Sequence, residues 1–503
     1  MSTPIIEHWI DGAATPATSD RTNPVYNPAT GEVIAEVTLA SAGDVRAAVD
    51  SARKAFESWS QYSVGKRASV LFRFRELLAA NVDELARIVS REHGKVISDA
   101  KGEIARGLEV VEFATGIPHL LKGEYSDQAA TGVDVYSFRQ PLGVVAGITP
   151  FNFPVMVPLW MSPIAIATGN AFILKPSERD PSASLFLADL WAQAGLPSGV
   201  FTVLQGDKVA VDGLLHHPDV AAVSFVGSTP IARYIHETAS AQGKRVQALG
   251  GAKNHAVVLA DADLDLAADQ LTAAAFGAAG ERCMAVSVAV VEDSVADSLV
   301  DVLATRARAV RVTAGDQADA DMGPVITAAA KERIESLITS AADAGAELVV
   351  DGRGHQVEGY ENGFFVGPTV IDRVTPDLEA YREEIFGPVI DIVRVTGLEE
   401  AVGLINANPY GNGTAIFTSS GEAARTFTRE VSVGMVGVNV PIPVPVASHS
   451  FGGWKQSLFG ETHVYGPEGI KFYTRGKVVT QRWPRTRDVA SPASFHFSGD
   501  ATK

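Results

Sequence analysis

Between residues 144 and 251 short apolar runs alternate with longer segments whose apolar residues recur every three or four positions. "VVAGIT" (144–149), "AFILK" (171–175), "FTVLQG" (201–206), "AAVSFVG" (221–227) and "KRVQALGG" (244–251) read as strands. "PVMVPLWMSPIAIAT", "PSASLFLADLWAQAG", "KVAVDGLLHH" and "TPIARYIHETASA" read as the helices between them. Strands joined in series by helices pair in parallel, with right-handed crossovers covering both faces of the sheet. No other regularity in the chain narrows the fold so far. Open parallel sheets take ligands at the carboxyl ends of their strands. Candidate functional residues therefore follow the strands: Asn152 after the first, Lys175 and Glu178 at the second, Ser228 after the fourth.

A second α/β unit starts near residue 252. "HAVVLA" and "VSVAVVE" are its first strands, and "DLDLAADQLTAAAFGAAG" is the helix between them. Ahead of the first unit, "DVRAAVDSARKAFESW" and "KRASVLFRFRELLAANVDELARIVSREHGK" carry helical spacing; Gly94 stops the second of them, which is long enough to hold either one helix or more. Residues 140–174 carry no charge and are long enough to span a bilayer. Pro141, Pro150, Pro154, Pro158 and Pro163 cut that run, and Asn152 and Asn170 lie inside it, so three short buried pieces are expected instead. The 503 residues carry a net charge of −17, which disfavours binding to nucleic acid or to an anionic membrane. The N-terminus shows no signal or transit peptide, and a cytoplasmic location is expected. The polar tail 484–503 is expected to be loose.

Cys283, in "GAAGERCMAV" (277–286), is the only cysteine. It excludes an intrachain disulfide framework and a cysteine-rich zinc site, and no metal is expected. A lone thiol is a small buried hydrophobe or a nucleophile. No strict G-x-G-x-x-G occurs. In "SFVGSTPIARY", however, a strand ends at Gly227, Ser228 or Thr229 can cap the next helix, and Pro230 suits its first turn. Such a helix start is an anion site. In "ILKPSERDP", Lys175 reaches toward a ribose or phosphate and Glu178 toward ribose hydroxyls, with a solvated loop as the plainer alternative.

In order along the chain, "TPFNFP" (149–154), "KPSE" (175–178), "FVGST" (225–229), "GERC" (280–283), "EEIFGPV" (383–389) and "NPYGNGTAIFT" (408–418) resemble the NAD-dependent aldehyde dehydrogenase superfamily over about residues 8–483. "GGAKNH", "PLWMSP", "ENGFFVGPT", "GVNVPIPVPV" and "GIKFYT" are similar to its CoA-acylating branch, which acts on methylmalonate semialdehyde. The resemblance implies an α/β fold of two Rossmann-like parallel-sheet domains plus a small β oligomerisation element. An NAD-binding domain would comprise 1–122 and 142–250, and a catalytic domain 251–440. The oligomerisation element would comprise 123–141 and 468–483, in a homodimer or homotetramer.

The resemblance implies covalent catalysis through the thiol. Cys283 attacks the aldehyde carbon, the Asn152 side chain and the Cys283 N–H hold the oxyanion, and hydride departs to NAD, leaving a thioester. Thr149, Phe151, Lys175, Glu178, Arg179, Ser228, Glu384 and Phe386 match cofactor-binding positions. Hydrolytic members place a glutamate about 34 residues before the cysteine; here Ala248 or Leu249 faces that position, and neither takes a proton. Coenzyme A is then the expected acyl acceptor. Arg282 and, by family position, Arg106 are the expected anchors for the carboxylate of a semialdehyde, and Arg282 is expected also to favour the thiolate. Glu281 stands where relatives often carry glutamine, and Ala232 where many carry glycine. The alternatives are a hydrolytic dehydrogenase using Glu281 as base, a cysteine hydrolase using His255, and a non-catalytic scaffold on which Cys283 only packs.

Overall fold

The computed structural model describes residues 3–483; the expected loose tail 484–503 lies outside them. The five expected strands form the centre of an eight-stranded sheet. Val144–Ile148 lies in the middle, with Ala171–Lys175 and then Phe201–Val203 on one side. Val220–Val226 and then Arg245–Leu249 lie on the other. All five are parallel, with Ile148 opposite both Lys175 and Phe225. After Phe201–Val203 the chain crosses back over the first strand, so the order reverses between Val144–Ile148 and Val220–Val226. A crevice opens at the carboxyl ends of strands at such a switch point.

Antiparallel strands close both edges. The hairpin His8–Ile10/Ala13–Thr15 covers one edge, and Leu458–Phe459 pairs with Arg245–Leu249 at the other. The uncharged run 140–174 resolves into strand, helix Met156–Ala167 and strand, and all twelve helix residues are buried. Among the described residues no helix is long and apolar enough to cross a membrane. The long helical pattern after residue 65 splits at Asn81 into Val64–Ala80 and Val82–His93, and Gly94 ends it at φ 93°, a left-handed conformation that suits glycine.

A second sheet has seven strands. Its order is Glu347–Val350, Thr369–Asp372, Val389–Val395, Val286–Glu292, Asn254–Val258, Gly413–Phe417 and Met435–Val438. Only Glu347–Val350 is antiparallel. The helix expected to continue through residue 280 stops at Phe276, and Gly277–Gly280 forms a 3-10 turn in which Ala278 and Ala279 take φ of 50° and 52°. Alanine rarely adopts this left-handed geometry, and such strain concentrates at functional sites. Cys283 follows the turn and precedes Val286–Glu292. The cleft thus faces the carboxyl ends of one sheet and the amino ends of the other.

Tyr125–Ala130, Val133–Pro141 and Thr474–Gln481 make a separate three-stranded antiparallel sheet. Residues 468–472 fall in the helix Gly466–Phe472, which packs on Met156–Ala167 rather than joining that sheet.

Candidate active site

Cys283 is pinned through its backbone. Its carbonyl accepts from Asn254 Nδ2 at 2.8 Å and from Asn412 Nδ2 at 3.1 Å. Asn254 opens one strand of the second sheet, and Asn412 immediately precedes the next one over. Asn254 also donates to Ala285 O at 3.0 Å. Before the thiol, Gly280 runs so close to the Gly387 carbonyl that a Cβ there would collide with it. The strained turn therefore rests on the segment that follows Phe386.

Two cavities meet at Cys283. One, of about 320 Å³, lies at the switch point of the first sheet and is lined by Phe151, Asn152, Gly227, Ser228, Glu384 and Phe386, among others. The other, of about 440 Å³, is lined by Arg106, Arg282, Phe153, Met156, Trp160 and Phe451, among others.

In the first cavity Ser228 takes the N-cap position of helix Thr229–Ala241 but makes no side-chain capping bond, while Thr229 Oγ1 accepts from Gly251 N at 2.8 Å. Of the two expected caps, neither side chain closes the helix end. Glu384 Oε1 accepts from Ala252 N at 3.0 Å, and a Cβ on Gly251 would stand 2.5 Å from Glu384 Oε2. Phe151 and Phe386 meet edge to face at 5.9 Å.

The other expected cofactor residues lie off this cavity. Lys175 pairs with Glu178 at 3.1 Å. Glu178 and Arg179 line a neighbouring cavity of about 280 Å³ with Tyr26, Glu92 and Thr327, and Arg179 stacks over the Phe151 ring at 5.0 Å. Thr149 is buried at the strand end, and its Oγ1 has no hydrogen-bond partner.

Asn152 Nδ2 donates to Glu281 O at 3.0 Å. A primary amide has two hydrogens, so one remains for an oxyanion. The Asn152 carbonyl accepts from Lys95 Nζ at 2.6 Å, and Lys95 pairs with Glu103 at 2.7 Å, both side chains fully buried. Glu103 Oε1 in turn accepts from Val155 N and Met156 N at 2.8 and 3.0 Å, closing the start of the buried helix. Removing one partner of such a buried pair costs about 3–5 kcal/mol. Asn254, Asn412, Lys95 and Glu103 were not expected from the sequence. The one available signal was "EHGKV", where a lysine follows a helix-ending glycine.

Arg106 and Arg282 both reach the second cavity. Arg282 Nη2 donates to Asp99 Oδ1 at 2.8 Å, and Arg106 pairs with Glu109 at 2.9 Å. Arg282 does act to favour the thiolate, but its effect is outweighed. Burial, followed by the charge of Glu384, pushes the Cys283 thiol up to about 12, and the opposing effect of Arg282 is the weakest of the influences. Desolvation disfavours the charged form, and the guanidinium is already engaged by Asp99.

Glu281 lines neither cavity. Its carboxyl faces Ile326 N at 3.3 Å and His93 Nε2 at 3.9 Å, and burial raises it to about 8. His255 hydrogen-bonds Tyr381 at 2.9 Å, and burial lowers it to about 3. Its ring is committed elsewhere, so it does not serve Cys283 as a hydrolase base.

A thiol exposed to two cavities, one at the switch point of a doubly wound sheet, fits an oxidoreductase that works through a covalent thiol adduct. A model of the aldehyde dehydrogenase family matches residues 15–479, and the chain belongs to that family. It is 58% identical over 492 residues to the malonate-semialdehyde dehydrogenase of Pseudomonas aeruginosa, covering 97% of this chain and 99% of that protein. It is 49% identical over 478 residues to malonate-semialdehyde dehydrogenase 2 of Shouchella clausii, covering 95% and 98%. The solved structure of methylmalonate-semialdehyde dehydrogenase from Oceanimonas doudoroffii superposes with a TM-score of 0.95 at 55% identity, covering 96% of this chain and 99% of that one. A Sinorhizobium meliloti structure, provisionally named methylmalonate-semialdehyde dehydrogenase and complexed with NAD, gives the same values.

Proposed function

We propose that this enzyme oxidises malonate or methylmalonate semialdehyde with NAD and passes the acyl group from Cys283 to coenzyme A. Loss of the β-carboxylate as CO2 from the Cys283 thioester, before that transfer, makes the products acetyl-CoA or propionyl-CoA. The observation that carries the acyl transfer is the wall of the thiol cavity at Gly250 and Gly251. Neither glycine contributes a side chain, and the preceding Ala248 and Leu249 are packed into the core. Neither Ala248 nor Leu249, at the position from which hydrolytic relatives aim a water-activating glutamate, carries a carboxylate.

The residues present fit a bound dinucleotide. The helix start at Ser228 lacks a side-chain cap, Gly227, Gly250 and Gly251 let backbone approach closely, and the Thr149 hydroxyl is buried without a partner. Phe151, Ser228, Glu384 and Phe386 would hold the nicotinamide half. Thr149, Lys175, Glu178 and Arg179 would hold the remainder. When bound, NAD supplies the hydride acceptor.

The chain's own groups do the rest. The Cys283 sulfur adds to the aldehyde carbon, and the new oxyanion accepts from the free Asn152 amide hydrogen and the Cys283 N–H. Each such donor contributes about 3 kcal/mol to the barrier reduction. Arg282 and Arg106 orient the substrate carboxylate in the apolar second cavity, where bidentate geometry favours arginine over lysine. Once a thioester stands on Cys283, its carbonyl accepts the electrons released when the β-carboxylate leaves, and the resulting enolate takes a proton at its α-carbon from water. The exposed edge strand Tyr125–Ala130 would join a second copy of the chain, in a homodimer or homotetramer.

Stopped-flow recording of NADH from methylmalonate semialdehyde, with and without coenzyme A, tests the reading. A burst of about one NADH per site that stalls until coenzyme A is added is expected. Steady turnover in buffer alone would show that water releases the acyl group.

A further inference from the structure

We propose that Glu384 accepts the proton of the incoming thiol when the acyl group leaves Cys283. This rests on the thiol-acceptor reading above and deepens it, because thioester exchange needs a base and the expected one is missing.

The other titratable groups around the thiol are already engaged. Asp99 accepts from Arg282 and from Ala278 N, both at 2.8 Å. Glu103 is held by Lys95 and two backbone N–H groups. Glu109 pairs with Arg106, and Glu281 and His255 point into other parts of the protein. Among the described residues that line the 320 Å³ cavity with Cys283, Glu384 is the only carboxylate. Its Oε1 takes one N–H, from Ala252, and its Oε2 has no hydrogen-bond partner among the described residues.

Two cations hold the segment without neutralising that carboxylate. Arg333 donates to the backbone oxygens of Glu384 and Ile385, both at 2.8 Å. Lys253 donates to Glu383 O at 3.0 Å and pairs with Asp391 at 3.1 Å. Arg333, Lys253, Tyr410 and Cys283 are the charged and titratable groups facing Glu384. The result is a fixed carboxylate whose charge is left unpaired beside a thiol.

The S–H bond of the acceptor breaks and its proton passes to Glu384. The acceptor sulfur bonds to the thioester carbonyl carbon, and the oxyanion collapses with cleavage of the bond to Cys283. The Cys283 sulfur leaves as thiolate and takes the proton back from Glu384. Burial raises the Glu384 carboxyl to about 7. A base of that strength is within about two pKa units of an ordinary thiol, near 8.5, but about nine below bulk water. The same carboxylate therefore favours thiolysis over hydrolysis. Its expected hold on the nicotinamide ribose belongs to the earlier, oxidative half of the cycle, so the two roles are sequential.

The test avoids the dinucleotide. Acylate the enzyme with an activated aryl ester of acetate, then follow acyl release by coenzyme A from pH 6 to 9 in wild type, Glu384→Gln and Glu384→Asp. Wild-type release is expected to rise through pH about 7 and level off. Glu384→Gln should fall roughly 100-fold at pH 7, the loss shrinking as the acceptor ionises, and Glu384→Asp should retain part of the rate. An aryl thiol already ionised at pH 7 should release Glu384→Gln and wild type within a fewfold of each other. Equal rates with coenzyme A at pH 7, or equal slowing with the aryl thiol, would overturn the proposal. If wild type releases no faster with coenzyme A than in buffer, the thiol-acceptor reading itself falls, and this one with it.

Discussion

On the arginine-lined side of Cys283 every charged side chain has a partner: Arg282 with Asp99, Arg106 with Glu109, Lys95 with Glu103. On the nucleotide side Glu384 has none: the nearby Arg333 donates to backbone oxygens, and Lys253 donates to backbone oxygens and pairs with Asp391. The arginine-lined cavity is pre-neutralised, so an incoming carboxylate must share arginines with existing partners. The nucleotide-side cavity keeps a carboxylate with no ion-pair partner beside the thiol, which burial holds in its protonated form. One thiol therefore meets an electrostatically quiet binding wall and an electrostatically active one.

The largest expected effect lies where the two cavities join. Asn152→Ala removes the side-chain oxyanion donor and should slow the NADH burst about 100- to 1000-fold while leaving Cys283 alkylatable by iodoacetamide. A slowing of only a fewfold would place the oxyanion elsewhere.

Next comes the arginine side. Arg282→Met should raise KM for methylmalonate semialdehyde about 10- to 100-fold and leave propanal, which lacks a carboxylate, nearly unchanged. Arg106→Met should act in the same direction but only a fewfold, because Arg106 is half-exposed and solvent screens it. Equal losses on both aldehydes would mean that these arginines shape the cavity rather than bind the charge.

The smallest effect is on stability. Glu281 is raised from an ordinary 4.5 to about 8 by burial. Its unfolded form releases a proton well before its folded form does. Its stabilising contribution is therefore complete below pH about 4.5 and is lost as pH rises toward 8. Glu281→Gln is neutral throughout and should raise the apparent Tm at pH 8.5, with the gain vanishing by pH 5. The span corresponds to a few kcal/mol at most. A pH-independent difference would show that the carboxyl is ionised in the folded state.

The serial strands and helices from 144 onward were legible because their periodicity is local, and so were the positions of Asn152, Ser228 and Cys283 at the ends of elements. The buried run 140–174 was readable for the same reason: its prolines and asparagines punctuate it within a few residues. That the segment after residue 65 holds more than one helix was open from its length, but the break at Asn81 could not be placed, since the apolar spacing continues across it and neither glycine nor proline marks it.

The motifs and residue types around Cys283 determined which chemistry this chain is equipped for. What only the tertiary structure decided is how those groups are held and charged. Asn412 reaches the Cys283 carbonyl from 129 residues away, and Lys95 reaches Asn152 from 57. Lys253 meets Asp391 across 138. Such contacts leave no periodic trace. The same holds for ionisation: Arg282 adjoins Cys283 in sequence and should lower its pKa, yet burial and Glu384 raise it, because desolvation depends on everything packed around a group rather than on its neighbours in the chain.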